Sequence, residues 1–185
     1  MYSLDGLQPE ARLLLLRVEG TMTVFWVNPG ANGRLAIVPR PRGNEWLRDD
    51  LEAIRDNGID ILVSLLTRPE ASELGLVHEQ TLCEMVGIEF RSFPITDRSV
   101  PDSHREMYAL AEDLATERRH GKNIGAHCRV GIGRSSLLLA AVLCVEGLSP
   151  EHALRLISNG RGLRVPDTPE QAEWLAAFSS ALPRC

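Results

Sequence analysis

Cys128 and Arg134 flank a five-residue run, Arg129-Val130-Gly131-Ile132-Gly133, with His127 before it and Ser135 after it. Hydrolysis of a phosphate monoester needs an anionic nucleophile, donors around the phosphoryl oxygens and an acid for the leaving group. This stretch can supply the first two. A free thiol has a pKa of roughly 8.5, and a helix N-terminus or a nearby cation lowers it by several units. Cys128 falls between the end of an expected strand and the start of an expected helix near Arg134. Gly131 and Gly133 let the backbone curl, so the amides of Arg129, Val130, Gly131, Ile132 and Gly133 can point inward as an anion cradle. Arg134 offers a planar fork matched to two phosphoryl oxygens. Its value is greatest in the transition state, where charge spreads over the equatorial oxygens. Ser135 can donate a hydrogen bond to the Cys128 sulfur and ease its departure in a second step. His127 more simply orders the loop through its ring than moves protons.

His-Cys-x-x-Gly-x-x-Arg-Ser resembles the signature of the protein tyrosine phosphatase superfamily, with its Cys-x5-Arg spacing met by Cys128 and Arg134. On average residue usage, a chance match at one position is on the order of one in ten million, so the signal is strong. Pro94-Ile95-Thr96-Asp97-Arg98-Ser99-Val100-Pro101-Asp102 is similar to the acid loop of the kinase-associated (cyclin-dependent kinase inhibitor type) dual-specificity phosphatases and their plant and bacterial relatives. Two aspartates there could protonate the leaving group. Asp97 lies in the loop proper, and the resemblance implies that it is the acid. Asp102 precedes a long helix, where capping is its simpler role. Leu62–Leu74 and Gly162–Gln171 look like further segments of the same small dual-specificity-like subgroup. The resemblance implies that Gln171 positions the hydrolytic water; otherwise it sits on the solvated side of the last helix.

The fold that must position these residues is an α/β fold, with a central, mostly parallel twisted sheet flanked by helices and the phosphate loop between a strand and a helix. Residues 1–185 are expected to form a single phosphatase domain, with 1–33 an N-terminal extension carrying a β-hairpin. Residues 1–20 are ambiguous. Thr21–Val27 and Arg34–Val38 read as the hairpin strands, joined through Asn28-Pro29-Gly30 and Asn32-Gly33. Asn44 is expected to cap a helix over Glu45–Asn57 that stops at Gly58. Ile59–Leu66 is an apolar run typical of a strand buried on both faces. Short helices follow over Pro69–Leu74 and Val77–Val86, then a strand over Ile88–Phe93 and a long helix over Asp102–Arg119. Asn123–His127 is the strand before the loop, and Ser135–Val145 the apolar helix after it. Ser149-Pro150 and Thr168-Pro169 each start a further helix.

Composition narrows the partners. Hydrophobic residues make up 44% and charged residues 24%, with a net charge of -5, so no general nucleic-acid affinity is expected and an anion site must be local. The four cysteines, at 83, 128, 144 and 185, form no CxxC pair or zinc cluster and are too sparse for a disulfide scaffold. A reversible disulfide of Cys83 or Cys144 with Cys128 is conceivable, but a core role for Cys144 is simpler. The apolar run Leu13–Leu16 is too short for a membrane span or signal core, so a cytoplasmic location and no membrane partner are expected. No metal or organic cofactor is required by this chemistry. The substrate is a phosphorylated protein or small phosphoester. Arg129 could favour doubly charged substrates or be merely solvated, and Arg68 and Arg98 could rim the pocket. Val130 and Ile132, where phosphoinositide phosphatases often carry lysines, favour phosphoprotein over lipid. An arsenate reductase places its motif near the N-terminus, and a phosphate-binding pseudophosphatase would not require the intact Cys128, Arg134 and Asp97.

Overall fold

In a computed structural model describing residues 22–27 and 33–183, the chain forms a five-stranded sheet. The strands are β1 (Phe25–Val27), β2 (Leu35–Ile37), β3 (Ile61–Ser64), β4 (Glu89–Ser92) and β5 (Ile124–His127), in the spatial order β1-β2-β5-β3-β4. β1 pairs antiparallel with β2; every other pairing is parallel. The central strands are buried throughout, as expected where helices cover both faces of a parallel sheet.

Side chains alternate across that sheet and so feed two cores. Ile61, Val63, Ile124 and Ala126 point to one core, shared with helices α4 (His104–Arg119), α5 (Arg134–Val145), α6 (Pro150–Arg161) and α7 (Pro169–Ser180). Ala36, Val38 and Leu62 point to the other, with Leu47, Leu51 and Ile54 of α1 (Leu47–Asp56) and Cys83 of α3 (Glu79–Met85). α5 is buried on every side from Arg134 to Cys144, the mark of a central helix. It leaves the sheet directly after β5, so its N-terminus is fixed against the middle of the sheet.

Most expected elements appear, with shorter ends. The hairpin pairs Phe25 with Ile37, but its expected turn at 28–30 and 32, the start at Thr21 and the ambiguous stretch 1–20 lie outside the described residues, as does Cys185. Asn44 does not cap α1. It adopts φ +56° and opens a short 3-10 turn over Asn44–Trp46 instead, with no side-chain cap bond. Asp102 does not cap α4 either: Ser103 does, its Oγ accepting from the Glu106 amide at 3.2 Å. Ser149 and Thr168 cap α6 and α7, each with proline in the first turn.

Parallel pairing has one consequence for function. β3, β4 and β5 all end at the same edge of the sheet, where α/β proteins bind ligands. The segments leaving those three ends carry Glu70, Asp97 and Cys128.

Candidate active site

β5 delivers Cys128 to the edge of the sheet, and α5 begins at Arg134. Cys128 is buried, its sulfur 3.3 Å from the Gly131 amide, which donates to it, and 3.5 Å from Ser135 Oγ. Gly131 sits at φ +70°, a conformation that side chains disfavour. Gly133 is needed for close approach: a Cβ there would lie 2.9 Å from Gln171 Oε1 and 3.0 Å from Asp167 Cβ. The loop therefore turns tightly around the sulfur, with α5 directing its N-terminus at the same point. His127, fully buried, brings Nε2 to 2.9 Å from the buried Glu79 carboxylate.

Arg134 is also fully buried, and it is held from three sides. Its Nη1 and Nη2 donate to the two Glu70 carboxylate oxygens at 2.8 and 2.9 Å, a bidentate fork. Nη1 also donates to the Ile95 carbonyl at 2.9 Å, and Nη2 to Asp97 Oδ1 at 2.7 Å. Burial opposes the guanidinium charge, but the Glu70 hydrogen bonds, together with the charges of Cys128, Glu70 and Asp97, raise its pKa above the ordinary arginine value.

Glu70 was not among the residues singled out from the sequence. It belongs to α2 (Arg68–Glu73), capped by Thr67. The Thr67 amide and Oγ1 both donate to Glu70 Oε2 at 2.9 Å, and Thr67 Oγ1 accepts from the Glu70 amide. This is a capping box, and Thr67-x-x-Glu70 is its sequence signature. A buried arginine also demands a carboxylate, but only the fold says which one. Burial pushes the Glu70 carboxyl up; the hydrogen bonds from Arg134 and Thr67 outweigh it and hold the group below its usual range. A depressed carboxylate contributes stability above its unfolded pKa and loses it as pH falls through the folded one, so the fork is intact at neutral pH. Glu70→Gln should destabilise the fold by roughly 1–3 kcal/mol, because an amide nitrogen then faces a buried guanidinium. Urea titration at pH 7 reads this, and an unchanged midpoint would mean that Arg134 does not depend on the fork.

Of the two acid candidates, Asp97 touches the loop through Arg134, with its side chain 51% exposed. Asp102 is exposed and has neither that contact nor the expected cap. Arg98, at φ +59°, lies 3.8 Å from Asp167. Gln171 is fully buried, not on a solvated helix face. Its Nε2 donates to the Ser99 carbonyl at 2.9 Å and its Oε1 accepts from the Asp167 amide at 3.2 Å. It therefore ties the Asp97 loop to the start of α7 while packing against Gly133. Arg129 is neither free nor merely solvated, since it donates to both oxygens of Glu73. Arg68 opens α2 and is exposed.

The geometry opposes a disulfide to Cys128. Cys83 belongs to the core on the other face of the sheet. Cys144 lies ten residues along α5 from Arg134, about 15 Å at the helical rise, whereas a disulfide needs Cα atoms within about 7 Å. Burial pushes the Cys83 thiol up strongly and that of Cys144 to about 11.

Known proteins resemble this chain in sequence and in fold. A family model described as "Tc-R-P: Polymorphic toxin system, DSP-PTPase phosphatase" matches residues 37–148. Cyclin-dependent kinase inhibitor 3 of Rattus norvegicus is 28% identical over 138 residues, 74% of this chain and 65% of the relative. The chain thus spans less than two thirds of the length of the curated relative. The fold is similar to a crystal structure of kinase associated phosphatase carrying a serine for its catalytic site cysteine, with a TM-score of 0.75, 24% identity, and coverage of 86% of this chain and 95% of that one. It is also similar to PTPMT1 in complex with PI(5)P, with a TM-score of 0.64, 19% identity, and coverage of 79% and 90%.

Proposed function

The chain belongs to the DSP-PTPase phosphatase family, and on that premise we propose that it is a cysteine-dependent phosphomonoester hydrolase acting through a cysteinyl-phosphate intermediate. The observation that carries this reading is the convergence of the Cys128 sulfur, the Arg134 guanidinium and the Asp97 carboxylate at one edge of the sheet.

The Cys128 thiolate attacks phosphorus; the P–S bond forms as the P–O ester bond breaks. Arg134 and the amides of the Arg129–Gly133 loop hold the equatorial oxygens. Asp97, as the carboxylic acid, gives its proton to the departing oxygen. In the second step Asp97, now the carboxylate, takes a proton from water as the water oxygen bonds to phosphorus and the thiolate leaves. Ser135 steadies that sulfur, and Gln171 orients the water. Before substrate arrives, Asp97 occupies an Arg134 donor. An entering phosphate dianion competes for that donor, releasing the carboxyl group toward the leaving oxygen.

A phosphorylated protein or simple aryl phosphate suits the site better than a phosphoinositide. Two of the three candidate rim cations already carry carboxylate partners, Arg129 with Glu73 and Arg98 with Asp167, so less positive charge is left for a second phosphate. Val130 and Ile132 add none. Membership of the DSP-PTPase family suits dual specificity. Among the described residues no helix is long and apolar enough to cross a membrane, and the three described cysteines are free thiols, which suits a reducing cytoplasm.

Turnover of p-nitrophenyl phosphate separates this reading from a phosphate-binding pseudophosphatase. Asp97→Ala should lower kcat by roughly 10²- to 10⁴-fold with little change in KM, the range for loss of a general acid. An unimpaired Asp97→Ala enzyme would move the role to Asp102. Rates on a phosphotyrosine peptide, a phosphothreonine peptide and PI(5)P vesicles should rank the lipid last.

A further inference from the structure

Two carbonyls of the phosphate loop turn away from the nucleophile and meet an arginine. Arg161, the last residue of α6, is 8% exposed. Its Nε donates to the Gly131 carbonyl at 3.0 Å and its Nη2 to the Val130 carbonyl at 3.4 Å. Its guanidinium lies 4.1 Å from the ring centroid of Phe25 in β1, a cation–π contact. Residues 25 and 161 both fall outside the 37–148 stretch matched by the family model.

These contacts reach the chemistry through single peptide units. In a trans peptide the C=O and N–H point in opposite directions. The Val130–Gly131 peptide has its carbonyl on Arg161 and its N–H on the Cys128 sulfur at 3.3 Å. The next peptide has the Gly131 carbonyl on Arg161, which turns the Ile132 N–H to the inner side of the loop. A cation on a carbonyl polarises that amide and strengthens the bond its N–H donates. The glycine at φ +70° would otherwise leave these peptides freer to rotate than any other residue type.

We propose that Arg161, seated on Phe25, is a positioning residue that aims the Gly131 and Ile132 amides at the nucleophile and the phosphoryl group. It acts only from the outer side of the loop and touches no substrate. The proposal rests on the phosphatase reading above. Because the aimed amides serve the transition state, the loss on substitution belongs in kcat rather than KM.

The test compares the parent, Arg161→Met and Arg161→Lys in p-nitrophenyl phosphate kinetics and in orthovanadate titration followed by calorimetry. Arg161→Met is expected to lose roughly 10- to 100-fold in kcat, with KM changed by less than about threefold and vanadate affinity lowered in parallel, as for a small misplacement of the reacting geometry. Arg161→Lys is expected to recover part of the loss, since an ammonium can still hold one carbonyl. Parent-like kcat and vanadate affinity in folded Arg161→Met overturns the proposal. So does a kcat loss that only tracks the unfolded fraction by circular dichroism, or a lysine variant no better than methionine. If the methionine variant does not fold, the lysine variant decides alone: an intermediate kcat supports the proposal and a parent value overturns it. Vanadate binding needs the anion cradle but no turnover, so an inactive parent would sink the phosphatase reading while the titration still judged Arg161.

Discussion

A Cys128→Ser protein is expected to fold as the parent does, to bind phosphate esters at least as well, and to lose turnover by a factor on the order of 10⁶, the scale seen when a covalent nucleophile is deleted elsewhere. Folding should survive because serine is nearly isosteric. Its oxygen can still accept from the Gly131 amide and meet Ser135 Oγ, the two contacts of the sulfur. Binding should survive because the Arg134 fork and the loop amides remain. It should even tighten, since a neutral hydroxyl replaces the proposed thiolate, whose charge would repel an incoming dianion. Chemistry should fail because a hydroxyl is far more basic than a thiol and stays protonated in this loop. Stopped assays with p-nitrophenyl phosphate and equilibrium binding of a phosphotyrosine peptide separate the two effects. A serine variant turning over at the parent rate would remove the cysteinyl-phosphate intermediate from the mechanism.

The loop was legible in the sequence because its determinants are local. Cys128, Gly131, Gly133 and Arg134 act within one turn of chain, and the apolar run after them can only be a buried helix. Ser149-Pro150 and Thr168-Pro169 were legible for the same reason, since a cap and its proline are neighbours. Most of the readings that failed were settled by distant chain. Asn44 reads as a cap, yet its backbone is held at φ +56° where its amide donates to the Gly75 carbonyl at 3.0 Å. Asp102 lost the α4 cap to Ser103, one residue on, a shift that propensity alone cannot resolve. Of the two readings of Gln171, only the solvated helix face failed, because the Ser99 and Asp167 segments close over it. Glu70 and Arg161 escaped because each meets its partner across a long separation in sequence, from α2 to α5 and from α6 to the loop. The residues proposed to hold phosphate could thus be read from pattern, and those contacting these residues from behind could not.

Arg134→Lys tests whether charge or shape is the essential property at the second position, and shape is expected to win. The guanidinium meets Glu70 with two nitrogens, the Ile95 carbonyl with one of them and Asp97 with the other, all within 2.9 Å. An ammonium is a point charge with three donors and cannot span Glu70 while facing the phosphoryl group. Lysine would settle on Glu70, the better acceptor, and leave the equatorial oxygens to the loop amides alone. The expected loss in kcat is roughly 10³- to 10⁵-fold, the value of an arginine that stabilises phosphoryl-transfer charge. KM should change far less, because ground-state binding draws on the amides as well. Combining Arg134→Lys with Glu70→Gln sharpens the test. If Glu70 acts by orienting the fork, its substitution should cost little further activity once the fork is gone, a non-additive cycle. Full additivity would give Glu70 a role independent of Arg134, and an Arg134→Lys enzyme within about tenfold of the parent would show that a positive charge suffices where transition-state geometry was expected to decide.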